Sequence, residues 1–227
     1  MRAFSILLAA AALVLAVSVS GAAPAAKAKP WFGAYGAWSG YSMGDVNRDI
    51  GDFNAELAGT GYSMDEITNG FGFGALLGVD LNPQFAVGVA AEHLLASTDF
   101  TAEGVTLTYD LPANTFCAFG EYRLPTEGTL GFRLGAAAGL VATSGSLELI
   151  VPGLGGGSAD VTGTGPMFQF YGTGEMWSTP QLAVTATLGY RYANVSELDV
   201  AGITLRKFGA DYSGILARAG LKFYLTK

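Results

Sequence analysis

The chain has 227 residues, of which 50% are hydrophobic and only 14% charged, with 33 Gly, one Cys, one His and a formal net charge of -7. An ordinary domain in water carries roughly 25% charge and about 7% Gly, so the composition is unusual in both respects, while the length suits one domain. The acidic balance and scattered Lys and Arg exclude a phosphate-neutralising surface and hence nucleic acid, and the lone Cys117 excludes an internal disulfide.

Residues 1–25 read as a cleaved secretory signal peptide. Arg2 precedes an apolar run from Phe4 to Val19, and cleavage sites after Ala22, Ala23 or Ala25 follow. The run is shorter than the ~20 residues of a membrane-crossing helix, which disfavours an anchor. Residues 26–227 are then one exported domain.

Trp31 to Met43 forms the first strand, with ambiguous parity because Trp31, Tyr35 and Tyr41 compete with Phe32 and Trp38. In the connection from Gly44 to Asn69, Val46, Ile50, Phe53 and Leu57 recur at helical spacing and predict a short amphipathic helix. The phrases GYSMGD and GYSMDE set Ser42 before Asp45 and Ser63 before Glu66, a helix-start signal in each case.

The stretch from Gly70 to Ser97 organises the rest. Phe71, Phe73, Ala75, Leu77 and Val79 alternate with Gly72, Gly74, Leu76, Gly78 and Asp80, which is the two-residue period of a strand with unlike faces. Asn82-Pro83 turns the chain, and Phe85, Val87, Val89 and Ala91 then alternate with Ala86, Gly88, Ala90 and Glu92. A water-facing sheet would carry Lys, Thr and Gln. Here the second face is Gly and Ala with an occasional charge, which suits a crowded barrel interior and sends the bulky face outward to lipid.

Further strands follow at Ala113–Leu124, Thr129–Ser144, Met167–Ser178, Leu182–Val195 and Tyr212–Leu225. Between them lie polar or glycine-rich connections: Thr98–Pro112, which has room for extensions of the flanking strands, VPGLGGGSAD at 151–160, read as a flexible loop, and Ser196–Asp211. Long connections alternate with short ones. The pattern predicts an all-β fold, an eight-stranded antiparallel up-and-down transmembrane β-barrel, with long loops at one rim and tight turns and both termini at the other, periplasmic, rim. Outward aromatics cluster toward strand ends, as in the belts of a membrane interface.

Parity sends Glu92, Glu121 and Glu175 into the lumen with Arg133, Arg191 and Arg218, joined near the short-turn rim by Asp80, Arg123 and Lys222. Eight strands enclose room for side chains only, so the expectation is an interleaved ion cluster that plugs the barrel. A narrow or gated ion path along the same charges is the alternative.

At this point the chain resembles the small bacterial outer-membrane β-barrel proteins, the group of the OmpA-like membrane domain and the OmpX-like proteins. The resemblance covers about residues 31 to 225 and rests mainly on pattern. Its sharpest piece is the last strand, where Arg218, Gly220, Phe223 and Leu225 fit the insertion signal read by the barrel-assembly machinery; the trailing Thr226 and Lys227 depart from the group. The resemblance implies a bacterial outer-membrane location, outer-membrane lipid and the assembly machinery as partners, and no cofactor.

Candidate chemistry is sparse. His93 and Ser97 share the lipid face and would suit a surface lipid acyl hydrolase, but four strand residues separate them by ~13 Å, too far for proton transfer. Asp45, Asn47, Asp49 and Glu56 match positions of a calcium loop, yet Ile50 stands where that loop needs Gly. Gly153 to Gly157 lacks the ending of a phosphate loop. The expectation is therefore a non-enzymatic barrel without metal or cofactor, serving envelope structure or contact with a surface ligand. The alternatives are an OmpW-like channel for small hydrophobic molecules, which an apolar upper lumen would favour, the His93 hydrolase, and a water-soluble lipocalin-like carrier.

Overall fold

The computed structural model describes residues 28–126, 128–153, 155–200 and 203–225, so the signal-peptide segment lies outside the described residues, as do Thr226 and Lys227. The described chain runs β1 (Lys29–Gly40), α1 (Gly44–Glu56), β2 (Asn69–Asp80), β3 (Phe85–Leu94), β4 (Ser97–Ala102), β5 (Val105–Asp110), β6 (Ala113–Leu124), β7 (Leu130–Val151), β8 (Gly155–Trp177), β9 (Leu182–Val200), β10 (Ile203–Asp211) and β11 (Gly214–Tyr224). Eight strands close a ring of antiparallel ladders in the order β1, β2, β3, β6, β7, β8, β9, β11, and β11 pairs back onto β1 through contacts such as Phe32 opposite Phe223.

Alternation sorts the wall. Phe71, Phe170 and Leu188 are about two-thirds exposed (67%, 70% and 69%), and Phe73, Leu134, Ile215 and Leu221 stand out beside them. Nothing but hydrocarbon could cover so broad an apolar band, so these side chains face lipid rather than a shared oily centre, and the water-soluble carrier reading is set aside. The short turns are locked by side-chain acceptors: Asn82 Oδ1 takes the N–H groups of Gln84 and Phe85, each at 2.8 Å, and Thr179 Oγ1 takes that of Leu182 at 3.0 Å.

β1 resolves its ambiguity by turning Trp31, Tyr35 and Ser39 inward and Phe32 and Trp38 outward. Glycines opposite the inward rings make this packing feasible: a Cβ at Gly78 would strike Trp31, and one at Gly135 would strike Tyr171. The inward face is small because it houses aromatic rings as well as ions.

The connections differ from expectation. β7 and β8 run for 22 and 23 residues, about twice what a tilted span requires, and project past the rim. The expected flexible loop at 151–160 is largely ladder, with β7 reaching Val151 and β8 starting at Gly155. Thr98–Pro112 holds a separate hairpin, β4 and β5, whose second strand pairs with β7 from Thr106–Ile150 to Asp110–Ser146. Ser196–Asp211 is likewise mostly strand, the end of β9 with β10 folded against it. Gly165 in β8 is a site of close approach, since a Cβ there would meet the Asn194 carbonyl.

Helix α1 forms where its spacing predicts, but not through a serine cap. Met43 is the N-cap, in a left-handed conformation (φ 42°), with no side-chain cap bond, and Ser42 Oγ bonds the Ser213 carbonyl at 3.4 Å instead. The second phrase starts no helix; it delivers Met64 and Ile67 to the core.

Candidate functional site

The barrel interior is stacked in layers. Nearest the short turns, Arg133 Nη1 lies 3.1 Å from Asp80 and 3.3 Å from Glu121, and its Nε lies 2.9 Å from Glu175. Lys222 Nζ sits 2.6 Å from Glu175, and Arg123 reaches Glu175 at 3.3 Å and Asp80 at 3.6 Å. Trp31 Nε1 donates to Asp80 at 3.0 Å, and Tyr224 Oη accepts from Arg133 at 2.8 Å. Three acids meet three bases, so each buried charge has a partner of opposite sign, the condition under which burial is tolerated.

Phe119, Tyr171, Leu76 and Ala137 separate this layer from a second one. There Glu92 receives Arg191 at 3.2 Å through Oε1, and Arg218 and the Tyr35 hydroxyl, the latter at 3.1 Å, through Oε2. Arg218 also donates to Gln169 Oε1 at 3.0 Å and lies over the Tyr35 ring at 4.7 Å. Of the expected ion cluster, the structure groups Glu121, Glu175 and Arg133 in the lower layer and Glu92, Arg191 and Arg218 in the upper one.

An apolar cap lies at the long-loop end of the barrel. Met43, Val46 and Ile50 pack with Met64 and Ile67 onto Leu94, Leu111, Val141, Met167 and Tyr212, all buried. Two asparagines clamp α1 to the following segment as a neighbouring strand would: Asn47 exchanges bonds with Ile67 N and O at 2.8 and 3.1 Å, and Asn54 with Met64 N and O at 2.8 and 2.9 Å. Tyr109 of β5 donates to Asp49 at 2.7 Å, and Asp45 accepts the Gly209 N–H of β10 at 3.1 Å. Burial, and after it the bond to Asp49, pushes the Tyr109 phenol above its ordinary value.

These contacts also remove the calcium reading. Asp45, Asn47, Asp49 and Glu56 stand on a helix, which cannot wrap its own side chains around one ion, and three of the four already have protein partners. Among the described residues no group of three or more His, Cys, Asp or Glu is placed to hold a metal. His93 faces outward against Phe73, with Nδ1 3.0 Å from Asn114 Oδ1, so its neighbour across the strands is an amide rather than a hydroxyl nucleophile. Cys117 is a free thiol, half-buried against the apolar layers.

A ring with hydrocarbon outside and paired ions within decides the class. This is a small transmembrane β-barrel. No family model matches the barrel's sequence, and no curated protein does. Solved outer-membrane barrels are similar to it. Neisserial surface protein A is 13% identical, with 88% of this chain and 99% of that one covered, at a TM-score of 0.49. Ail, the attachment invasion locus protein of Yersinia pestis, solved with the heparin analogue sucrose octasulfate, is 16% identical over 86% and 99%, at 0.46. AlkL, solved in lipid bilayers, is 12% identical over 92% and 95%, at 0.44.

Several residues that build the site escape sequence reasoning. Asn47 and Asn54 are seven apart, hence on one helix face, and that spacing was the available signal for the clamp. Tyr109 and Tyr212 carry no local signal, because their partners lie 60 and 101 positions away.

Proposed function

We propose that the chain is an integral outer-membrane barrel protein without enzymatic activity, that its lumen is plugged, and that it serves the envelope or a surface interaction through the sheet raised above its long-loop rim. In this reading the short-turn rim, with both chain ends, faces the periplasm. The barrel-assembly machinery reads Arg218, Gly220, Phe223 and Leu225, and outer-membrane lipid surrounds the wall.

The observation that carries the reading is the cap. Val46 and Ile50 of α1 are buried at 0% and 1% exposure over the mouth, above an ion layer whose three acids and three bases are mutually paired. A path for water through both would expose the apolar cap and unpair buried charge. Purified protein in a planar bilayer should therefore show no large steady conductance, and such a conductance would overturn the plug.

A second reading is favoured by one feature. Leu94, Leu111, Val141 and Met167 make the upper interior apolar, so displacement of α1 would open a route for small hydrophobic molecules. Uptake of an apolar dye by vesicles holding the protein, stopped when Asp49→Cys and Tyr109→Cys are joined by a short cross-linker in a Cys117→Ser background, would favour that channel. Equal uptake with and without the cross-link would dismiss it.

A further inference from the structure

We propose that the upper ion layer binds a small monovalent anion, of halide size, among Arg191, Arg218 and Gln169. Among the described residues of the upper layer, Arg191 and Arg218 share a single carboxylate, Glu92, and both its oxygens are already engaged, Oε1 by Arg191 and Oε2 by Arg218 and Tyr35. Arginine does not shed its proton, so the layer carries one uncompensated positive charge in a water-poor interior. The Tyr35 ring beneath Arg218 attracts the cation without cancelling it.

Donors are left over to match. Arg191 Nη2, Arg218 Nε and Gln169 Nε2 are buried and have no acceptor among the described residues. The arginine side chains are 1% and 8% exposed and Gln169 is 2% exposed. Their grouping is fixed by bonds: both arginines hold the same carboxylate, Arg218 holds Gln169 Oε1, and Gln169 stands opposite Arg191 on the neighbouring strand. Because Oε1 accepts from Arg218, the amide nitrogen is necessarily the free end of Gln169. Water could meet these donors but could not supply the missing charge. One anion does both.

The missing charge is single, and the donors belong to buried side chains that are further held in place, Arg218 over the Tyr35 ring and Arg191 by its Nε bond to the Tyr212 carbonyl at 3.4 Å; the ligand is therefore monovalent and small. The lower layer, with three acids for three bases, needs no such ion and serves as the internal control. The site is independent of whether the barrel conducts.

The test measures thermal unfolding of the refolded, detergent-held barrel in a chloride series, with methanesulfonate keeping ionic strength constant. Melting should rise with chloride to a plateau, by about 3 °C or more. Gln169→Glu, which builds the missing negative charge into the wall, should melt at one temperature regardless of chloride. Should that variant not fold, Arg191→Gln, which leaves Glu92 and Arg218 one to one, reads the same way. Crystals grown with bromide as the sole halide should show anomalous density among the three side chains and none in the lower layer. Equal melting of wild type in both salts, a chloride response retained by the variants, or no bromide density at the site would overturn the proposal.

Discussion

Arg133 holds the lower layer together, since it contacts Asp80, Glu121 and Glu175 while almost wholly buried. Replacing it with Met strands carboxylates that Arg123 and Lys222 alone cannot match, and should cost about 3–5 kcal/mol, the scale for breaking a buried pair from one side. Urea unfolding in lipid vesicles, followed by tryptophan fluorescence, reads this directly. Adding Glu175→Gln should recover part of the loss; if the double variant is weaker than the single, the charge argument fails. Tyr109 gives a test by pH. Its proton is held more tightly in the folded chain than in the unfolded one, so its contribution is complete below the unfolded value, about 10, and is lost as pH rises through the higher folded value. Protease protection of α1 should hold up to about pH 10 and decline above it, and Tyr109→Phe should make that decline shallower. The inward position of Glu92, Arg191 and the other lumen charges was legible, because alternation alone assigns a face. Their division into two layers was not: height along the barrel depends on the stagger between strands, and Glu92 meets Arg191 across 99 residues.

At the scale of elements, α1 was readable from Val46, Ile50, Phe53 and Leu57, whose spacing places them on one face. Its role as a cap was not, because the surfaces it covers come from strands far away in sequence. The raised parts of β7, β8 and β9 were hidden by composition. Gly155 to Gly157 read as loop, yet they pair with β7, since a ladder tolerates glycine where its neighbours supply the pairing, and Gly163 and Gly165 are required by close approach of Val195 and Asn194. Ile50→Ala should loosen the cap alone. The cavity should cost about 2–5 kcal/mol of local stability. Since Arg48 sits on the exposed face of α1, trypsin cleavage after it should accelerate about thirtyfold or more. The heat-dependent mobility of the barrel in SDS should stay unchanged; a joint loss of both would show that cap and barrel unfold as one unit.

For the whole molecule, one arrangement governs everything else: the bulky face of each strand meets lipid, and the small face houses aromatic rings and paired ions. The most direct measurement is a nitroxide scan along β9, one cysteine at a time from Ala183 to Ala193 in a Cys117→Ser background, in lipid vesicles. Oxygen, which concentrates in the bilayer, should relax labels at Val184, Ala186, Leu188, Tyr190 and Tyr192 strongly, and labels at Thr185, Thr187, Gly189 and Arg191 weakly, a two-residue rhythm across the span. Labels at Ala186, Leu188 and Tyr190 that are shielded from oxygen and from a water-soluble relaxant alike would place them in a packed interior and contradict the account.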